Sequence, residues 1–300
     1  MASVTPSETP DQERPQRSPW LASFYWLIIF ITFVPIIVMV LYSFNNAPTS
    51  RITFAWNGFT TYWYRNLTQV DGLSHAFFTS LEVAVISSVV SVAIGTPLSM
   101  ALSRYRFWGK GLLSSMVFAD IAAPAIVVGA ASLSFFLSIN LDTGLLTILI
   151  AHIAFNVAYV VVVVRARLSG MDSAIEDAAR DLGANPITTF SKVTLPLIWP
   201  ALLAAGLLAF AMSIDDYVIT SFVAGSTITF PLFVYGAAKV GLPPQVLCFG
   251  TIIFLVGLLL ALANGLLNRH HLATRATTED ALIGVNATND APEVVLEGVS

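Results

Sequence analysis

Apolar residues in this chain gather in long runs that exclude Lys and Arg. A helix needs about 20 mostly apolar residues to cross about 30 Å of hydrocarbon. Runs of that length lie near 21–43, 76–102, 112–138, 144–164, 200–223 and 247–267, each bounded by charge, by Pro and Gly clusters, or by both. The pattern predicts an all-α membrane protein with six transmembrane helices. Pro35, Pro97 and Pro124 interrupt three of the runs; neighbouring helices re-satisfy the carbonyls that such breaks free, and breaks of this kind suit moving or cavity-lining helices. The first run follows Arg14 and Arg17 but exceeds the roughly 7–15 residues of a signal-peptide core. With no small-residue cleavage site after it, it reads as an uncleaved anchor.

Charge sets the orientation. Alternating the loops places Arg14, Arg17, Arg104, Arg106, Lys110, Arg165, Arg167, Arg180, Lys192, Arg269 and Arg275 on one side, against Arg51, Arg65 and Lys239 on the other. The rich side is cytoplasmic, which predicts a multi-pass protein of the cell (plasma or inner) membrane with both termini inside. Residues 1–19 and 273–300 have too little apolar content for a core and are expected to be disordered, leaving 20–272 as the membrane domain. The outer segment from Phe44 to Ser74 carries Trp56, Tyr62, Trp63 and Tyr64, aromatic residues that settle at an interface or meet substrate.

Composition narrows the function. Of 300 residues, 56% are hydrophobic and 11% charged, against roughly a quarter charged in soluble domains. A soluble enzyme is excluded, and membrane lipid is the first partner. A net charge of −4 offers no basic excess for nucleic acid. Cys248 alone makes neither an internal disulfide nor a Cys-based zinc site.

The cytoplasmic loop 165–199 between spans four and five has orderly local signals. Ser173 and Glu176 fit a capping box that starts a short helix. Gly183 closes it in a left-handed turn, and Asn185-Pro186 supplies a cap and first-turn proline for a second helix, which Leu195-Pro196 and Pro200 are expected to end. Ile175, Ala178, Ala179 and Leu182 recur at helical spacing, on a face that wants a partner or packs on its own bundle.

Four acids fall within the runs: Glu82, Asp120, Asp215 and Asp216. Ionisable groups at such depth usually face a bundle interior or a water-filled cavity. Glu82 lies near the outer end of its span, within reach of water. Asp120 serves either the pathway or a structural hydrogen bond. Adjacent helical residues point about 100° apart, so one of Asp215 and Asp216 lines the pathway while the other bonds a neighbour, or both are structural. His152 and Asn156, four apart, share a face and read as interhelical glue, with no metal-ligand spacing nearby.

Asp177-Ala178-Ala179, Gly183, Val193 and Leu195-Pro196 together resemble the Glu-Ala-Ala loop of ABC importer permeases, with Asp for the usual Glu and Val for the usual Ile. Residues 101–110, 151–168 and 213–222 are similar to spermidine/putrescine-type permeases. Pro124-Ala125 lacks the acidic residue that often follows this proline in that subfamily.

The resemblance implies a type I ABC importer permease that forms half of a pathway for polyamines or a related small cation. It implies a second permease subunit, an ABC ATPase dimer and an extracytoplasmic substrate-binding protein as partners. Glu176, Asp177, Ala178, Ala179, Gly183, Leu195 and Pro196 would couple to the ATPase; Asp120, Asp215, Asp216 and Tyr217 would line the pathway. The chain has no Gly-x-x-x-x-Gly-Lys-Ser/Thr phosphate loop, so no enzyme activity and no cofactor is expected in it, and ATP and Mg would be bound by the partner ATPase. The rival readings are an ABC permease for another solute, an ion-coupled carrier with an Asp relay, and a membrane scaffold.

Overall fold

The computed structural model describes residues 19–49, 51–53, 55–259 and 262. Residues 1–18 and 273–300 of the segments expected to be disordered, and nearly all of the end of the predicted sixth span, lie outside these. The helices are α1 (Pro19–Ser43), α2 (Tyr62–Arg65), α3 (Leu73–Arg104), α4 (Lys110–Ala122), α5 (Ala125–Ser138), α6 (Leu145–Ser169), α7 (Ala174–Asp181), α8 (Pro186–Thr189), α9 (Leu195–Ile214), α10 (Val218–Val223) and α11 (Phe230–Val240), followed by α12 (Pro244–Leu259). No strand is present among the described residues, apart from an isolated bridge between Asn45 and Phe59.

Two compact units divide the chain. One holds 19–46, 56–63 and the described residues from 247 onward; the other holds 47–55 and 64–246. In the first, Trp63 Nε1 donates to the Asn45 carbonyl at 2.9 Å, and Cys248 Sγ approaches the Ser43 carbonyl at 3.6 Å. Nearly all of α1 is apolar and exposed, Trp20 and Leu21 most of all, as expected of a helix whose solvent is lipid or another subunit.

The second unit is built on α3, α6 and α9, which pack against one another. At 1.5 Å per residue α3 is about 48 Å long and α6 about 38 Å, enough to cross a bilayer. Small residues on α3 let it lie close to α6. A Cβ on Gly95 would stand 2.6 Å from Val160 Cγ1, and Ser91 donates to the Ile153 carbonyl at 3.3 Å. This is the small-residue packing of helices in lipid, where dispersion and backbone approach replace the hydrophobic drive. Val160, Val164 and Leu168 of α6 meet Ile198, Leu202 and Ala205 of α9 in one apolar cluster. Val83, Phe136, Ile148 and Ile219 form another.

Three predicted spans are shaped differently from expectation. The third is broken into α4 and α5, bent by 113°, because Pro124 forces Ala123 out of the helical region to φ −71°, ψ 133°. The fifth begins earlier than predicted: Leu195-Pro196 does not end the loop helix. Residues Phe190–Thr194 form a π turn that carries α8 into α9, giving one helical run from Pro186 to Ile214. The wider turn accommodates Pro196, which has no N–H for the regular ladder. The same span stops at Ile214 rather than Val223, so Asp215 and Asp216 sit in a break, not on a continuous helix. Pro35 and Pro97, in contrast, lie inside unbroken helices. Four helices are long and apolar enough to span by themselves among the described residues, and the bent pair makes five; α12 is apolar but short as described.

Candidate functional site

Two groups of predicted residues occupy different parts of the second unit. The first is the loop between α6 and α9. Gly183 has φ +87° and closes α7, with its N–H on the Arg180 carbonyl at 2.8 Å and Ala184 N on the Ala179 carbonyl at 3.1 Å. Asn185 Oδ1 accepts from Thr188 N at 2.8 Å, and Pro186 opens α8. The predicted capping box does not form. Ser173 is itself helical and makes no side-chain cap; Asp172 Oδ1 takes Ala174 N at 2.9 Å instead.

Glu176 is drawn inward. Its carboxylate, 6% exposed, lies 3.4 Å from Arg104 Nη2 at the end of α3 and accepts from Thr194 Oγ1 of the π turn at 3.2 Å. Arg167 donates to the Leu197 carbonyl and Arg165 to Ser114, so α6 is also tied to α9 and α4 at this end. Outward the loop presents Ile175, Leu182 at 90% exposure and Ile187 at 79%, with Asp177 and Ala178 exposed and Ala179 half-buried beside them. Asp177 pairs with Arg180 at 3.2 Å in the open.

The second group surrounds the break between α9 and α10. Ser213, the last buried residue of α9, receives three polar neighbours: Ser87 Oγ at 2.8 Å, Asn156 Nδ2 at 2.8 Å and His152 Nδ1 at 3.1 Å. The other nitrogen of His152 lies 2.9 Å from Thr220 Oγ1 and 3.4 Å from Asp216 Oδ2. Asp216 also accepts the N–H groups of Ile219 and Thr220 and the Thr220 hydroxyl. It therefore caps α10, which explains the break: a carboxylate satisfying free N–H groups stabilises a new helix start. His152 and Asn156 do act as glue between α6 and the α9–α10 break, and Ser87 of α3 joins them on the Ser213 hydroxyl.

The two adjacent carboxylates thus diverge. Asp216 is enclosed and fully engaged, whereas Asp215 is exposed. Two residues on, the Tyr217 ring packs at a 37° tilt against Tyr235 of α11 with centroids 4.6 Å apart, and Lys239 Nζ stands 4.3 Å over the Tyr235 ring. A hydrogen bond with Tyr217 and then the Lys239 ammonium hold the Tyr235 phenol below its ordinary range. Asp215 and Tyr235 are exposed and Tyr217 is half-buried; a carboxylate and aromatic rings are groups suited to ammonium. Tyr235 and Lys239 were not among the sequence candidates; their signal was the four-residue spacing on a helix. Asp120, half-buried on the last turn of α4, is joined to neither Asp215 nor Asp216 by a hydrogen bond or ion pair among the described residues, and Glu82 is exposed. No cluster of three metal-ligating side chains occurs among the described residues.

Residues 93–271 match the family described as the binding-protein-dependent transport system inner membrane component. The chain is 39% identical over 249 residues to the spermidine/putrescine transport system permease protein PotC of Escherichia coli K12, covering 83% of this chain and 92% of that one. It is 36% identical over 245 residues to the putrescine transport system permease protein PotI of the same strain, covering 79% and 86%. Among solved structures, a bacterial ABC transporter involved in the import of alginate superposes with a TM-score of 0.63 at 20% identity, over 85% of this chain and 99% of that chain. The MetNI methionine ABC transporter superposes with a TM-score of 0.55 at 17% identity, over 66% and 94%. At these identities the structural matches speak for the fold.

Proposed function

Because this chain belongs to the family of binding-protein-dependent transport system inner membrane components, we propose that it is the permease subunit of an ATP-driven importer for spermidine, putrescine or a related small cationic solute. It forms half of the pathway with a second permease subunit. A dimeric ABC ATPase binds beneath and holds the ATP and Mg, and a binding protein delivers solute from outside. Both termini face the cytoplasm, as does the loop 165–199.

The observation that carries the cationic substrate is the Lys239 ammonium resting on the Tyr235 ring, which packs against Tyr217, two residues along the chain from the exposed Asp215. A surface that holds one primary ammonium has the chemistry to hold another, and the names of the 39% and 36% identical relatives point the same way. Asp215, Tyr217 and Tyr235 line the pathway; Asp216 holds the break that displays them, and Asp120 lines it from α4. Family membership favours this reading over a self-contained ion-coupled carrier.

At the other end, Asp177, Ala178, Ala179 and Gly183, with exposed Ile175 and Leu182, seat in a groove of the ATPase. Leu195 and Pro196 pass the displacement into α9, and Glu176 fixes the loop from within. Small alanines permit close approach, and the left-handed turn at Gly183 sets the angle of the seat.

The test is uptake of labelled spermidine and putrescine in a strain lacking this permease, supplied with wild type, Asp215→Asn or empty vector. Wild type is expected to restore uptake and Asp215→Asn to reduce it about tenfold at equal expression, as for loss of one charge-assisted contact. No uptake from wild type with all partner subunits present would remove the polyamine assignment.

A further inference from the structure

The loop is joined by the chain itself to α6 and, through α8 and the π turn, to α9. It has no covalent neighbour in α3, yet Glu176 reaches α3 directly through Arg104 at 3.4 Å. The two side chains are 6% and 19% exposed, so salt and water screen the pair little. Arg104 Nη2 also reaches the Met171 carbonyl at 3.5 Å, before α7 begins, and Thr194 Oγ1 shares the Glu176 oxygen that faces Arg104. One carboxylate thus gathers α3, α7 and the start of α9.

From Arg104, α3 runs without a break to Ser87, about 26 Å away at 1.5 Å per residue. There Ser87 Oγ meets Ser213 Oγ at 2.8 Å, two residues before Asp215. We infer that Glu176 and Arg104 are positioning residues that make α3 a second transmission rod, carrying displacement of the coupling loop to the α9–α10 break where Asp215 and Tyr217 are displayed. The inference rests on the ABC permease reading. A helix segment tied by side-chain bonds at Arg104, at its end, and at Ser87, near its middle, moves as one body, whereas a path through α9 alone must cross the π turn at Phe190–Thr194. The clasp and the Ser87–Ser213 contact close that second route without using the turn.

The test uses the whole complex, with both permeases, the ATPase and the binding protein, in proteoliposomes. Glu176→Gln, Arg104→Gln and the exchanged pair Glu176→Arg/Arg104→Glu are compared by spermidine moved per ATP hydrolysed. Each single variant is expected to lower that ratio about tenfold, a usual size for coupling between sites, and the exchanged pair to recover most of it. A merely structural role would not move a second readout: the spin-label distance between Tyr105→Cys and Ala174→Cys, on a Cys248→Ser background, with and without ATP. In the wild-type clasp this distance stays constant through the cycle; in Glu176→Gln it changes.

Single variants with the wild-type ratio and a constant distance would overturn the inference. So would an exchanged pair as impaired as the product of the singles. Should the wild-type complex hydrolyse ATP in response to binding protein without moving spermidine, the substrate assignment fails, and the distance measurement still decides for or against the clasp.

Discussion

Asp215 and Asp216 are neighbours of the same chemistry with opposite duties, and the difference is set by what surrounds each. Asp216 accepts from Ile219 N, Thr220 N and Thr220 Oγ1 and faces His152 at 3.4 Å. Truncating one partner of an enclosed network leaves the rest unsatisfied, at a cost of about 2–4 kcal/mol. Asp216→Ala is therefore expected to lower the midpoint of thermal aggregation in detergent by several degrees, and Asp215→Asn to leave it unchanged while reducing uptake. Gly95 makes a similar demand by volume. A methyl group there meets Val160 Cγ1 at 2.6 Å, so Gly95→Ala is expected to destabilise by about 1–3 kcal/mol. Val160→Ala in the same chain should restore the melting midpoint if that contact is the cause. At this scale the sequence was only half legible. The Asp pair and the His152–Asn156 face stood out because polar groups are rare in spans. Which carboxylate is free depends on where the helix breaks, and the partners Ser87, Ser213 and Thr220 carry no signal of their own. Glu176 was misread for a related reason: a carboxylate three residues after a serine fits a cap, but Arg104, 72 positions earlier, offers a stronger bond in a dry place.

Elements were legible where punctuation is local. Gly183 and Asn185-Pro186 fold as their chemistry dictates, because a left-handed turn and a first-turn proline depend on their immediate neighbours. Proline positions inside spans were less telling. Pro124 breaks a span by 113°, Pro97 leaves α3 whole, and Pro196 is absorbed by a π turn. Tertiary packing decides among these outcomes, since each freed carbonyl and misplaced ring needs its own accommodation. Gly183 allows a clean test of the loop. No atom lies within 4 Å of a Cβ placed there, so Gly183→Val strains the backbone at φ +87° without a clash. The left-handed region costs an ordinary L-residue about 1–2 kcal/mol, and a β-branched one more. The altered turn is expected to uncouple ATP hydrolysis from uptake while the protein inserts and assembles at wild-type levels. Gly183→Asn, which tolerates the left-handed region, should retain most transport. Normal transport by the valine variant would contradict the coupling role.

At the scale of the molecule, membrane class and an all-helical fold follow from the long apolar runs, and family membership from the match over residues 93–271. Span counting was coarser, because length and hydropathy do not distinguish one straight helix from two short ones joined at 113°. Large apolar surfaces remain exposed on the single chain, among them most of α1 and the outward residues of the loop; lipid covers such surfaces in a membrane, and partner subunits cover them in an importer. The most direct measurement is spermidine accumulation in proteoliposomes containing this chain, its second permease and the ATPase dimer, with the binding protein supplied outside the permease and ion gradients collapsed. The importer assignment requires accumulation against a gradient that depends on both ATP and the binding protein and stops when the ATPase phosphate-loop lysine is replaced. Spermidine uptake that persists without the ATPase and follows an imposed ion gradient would contradict it.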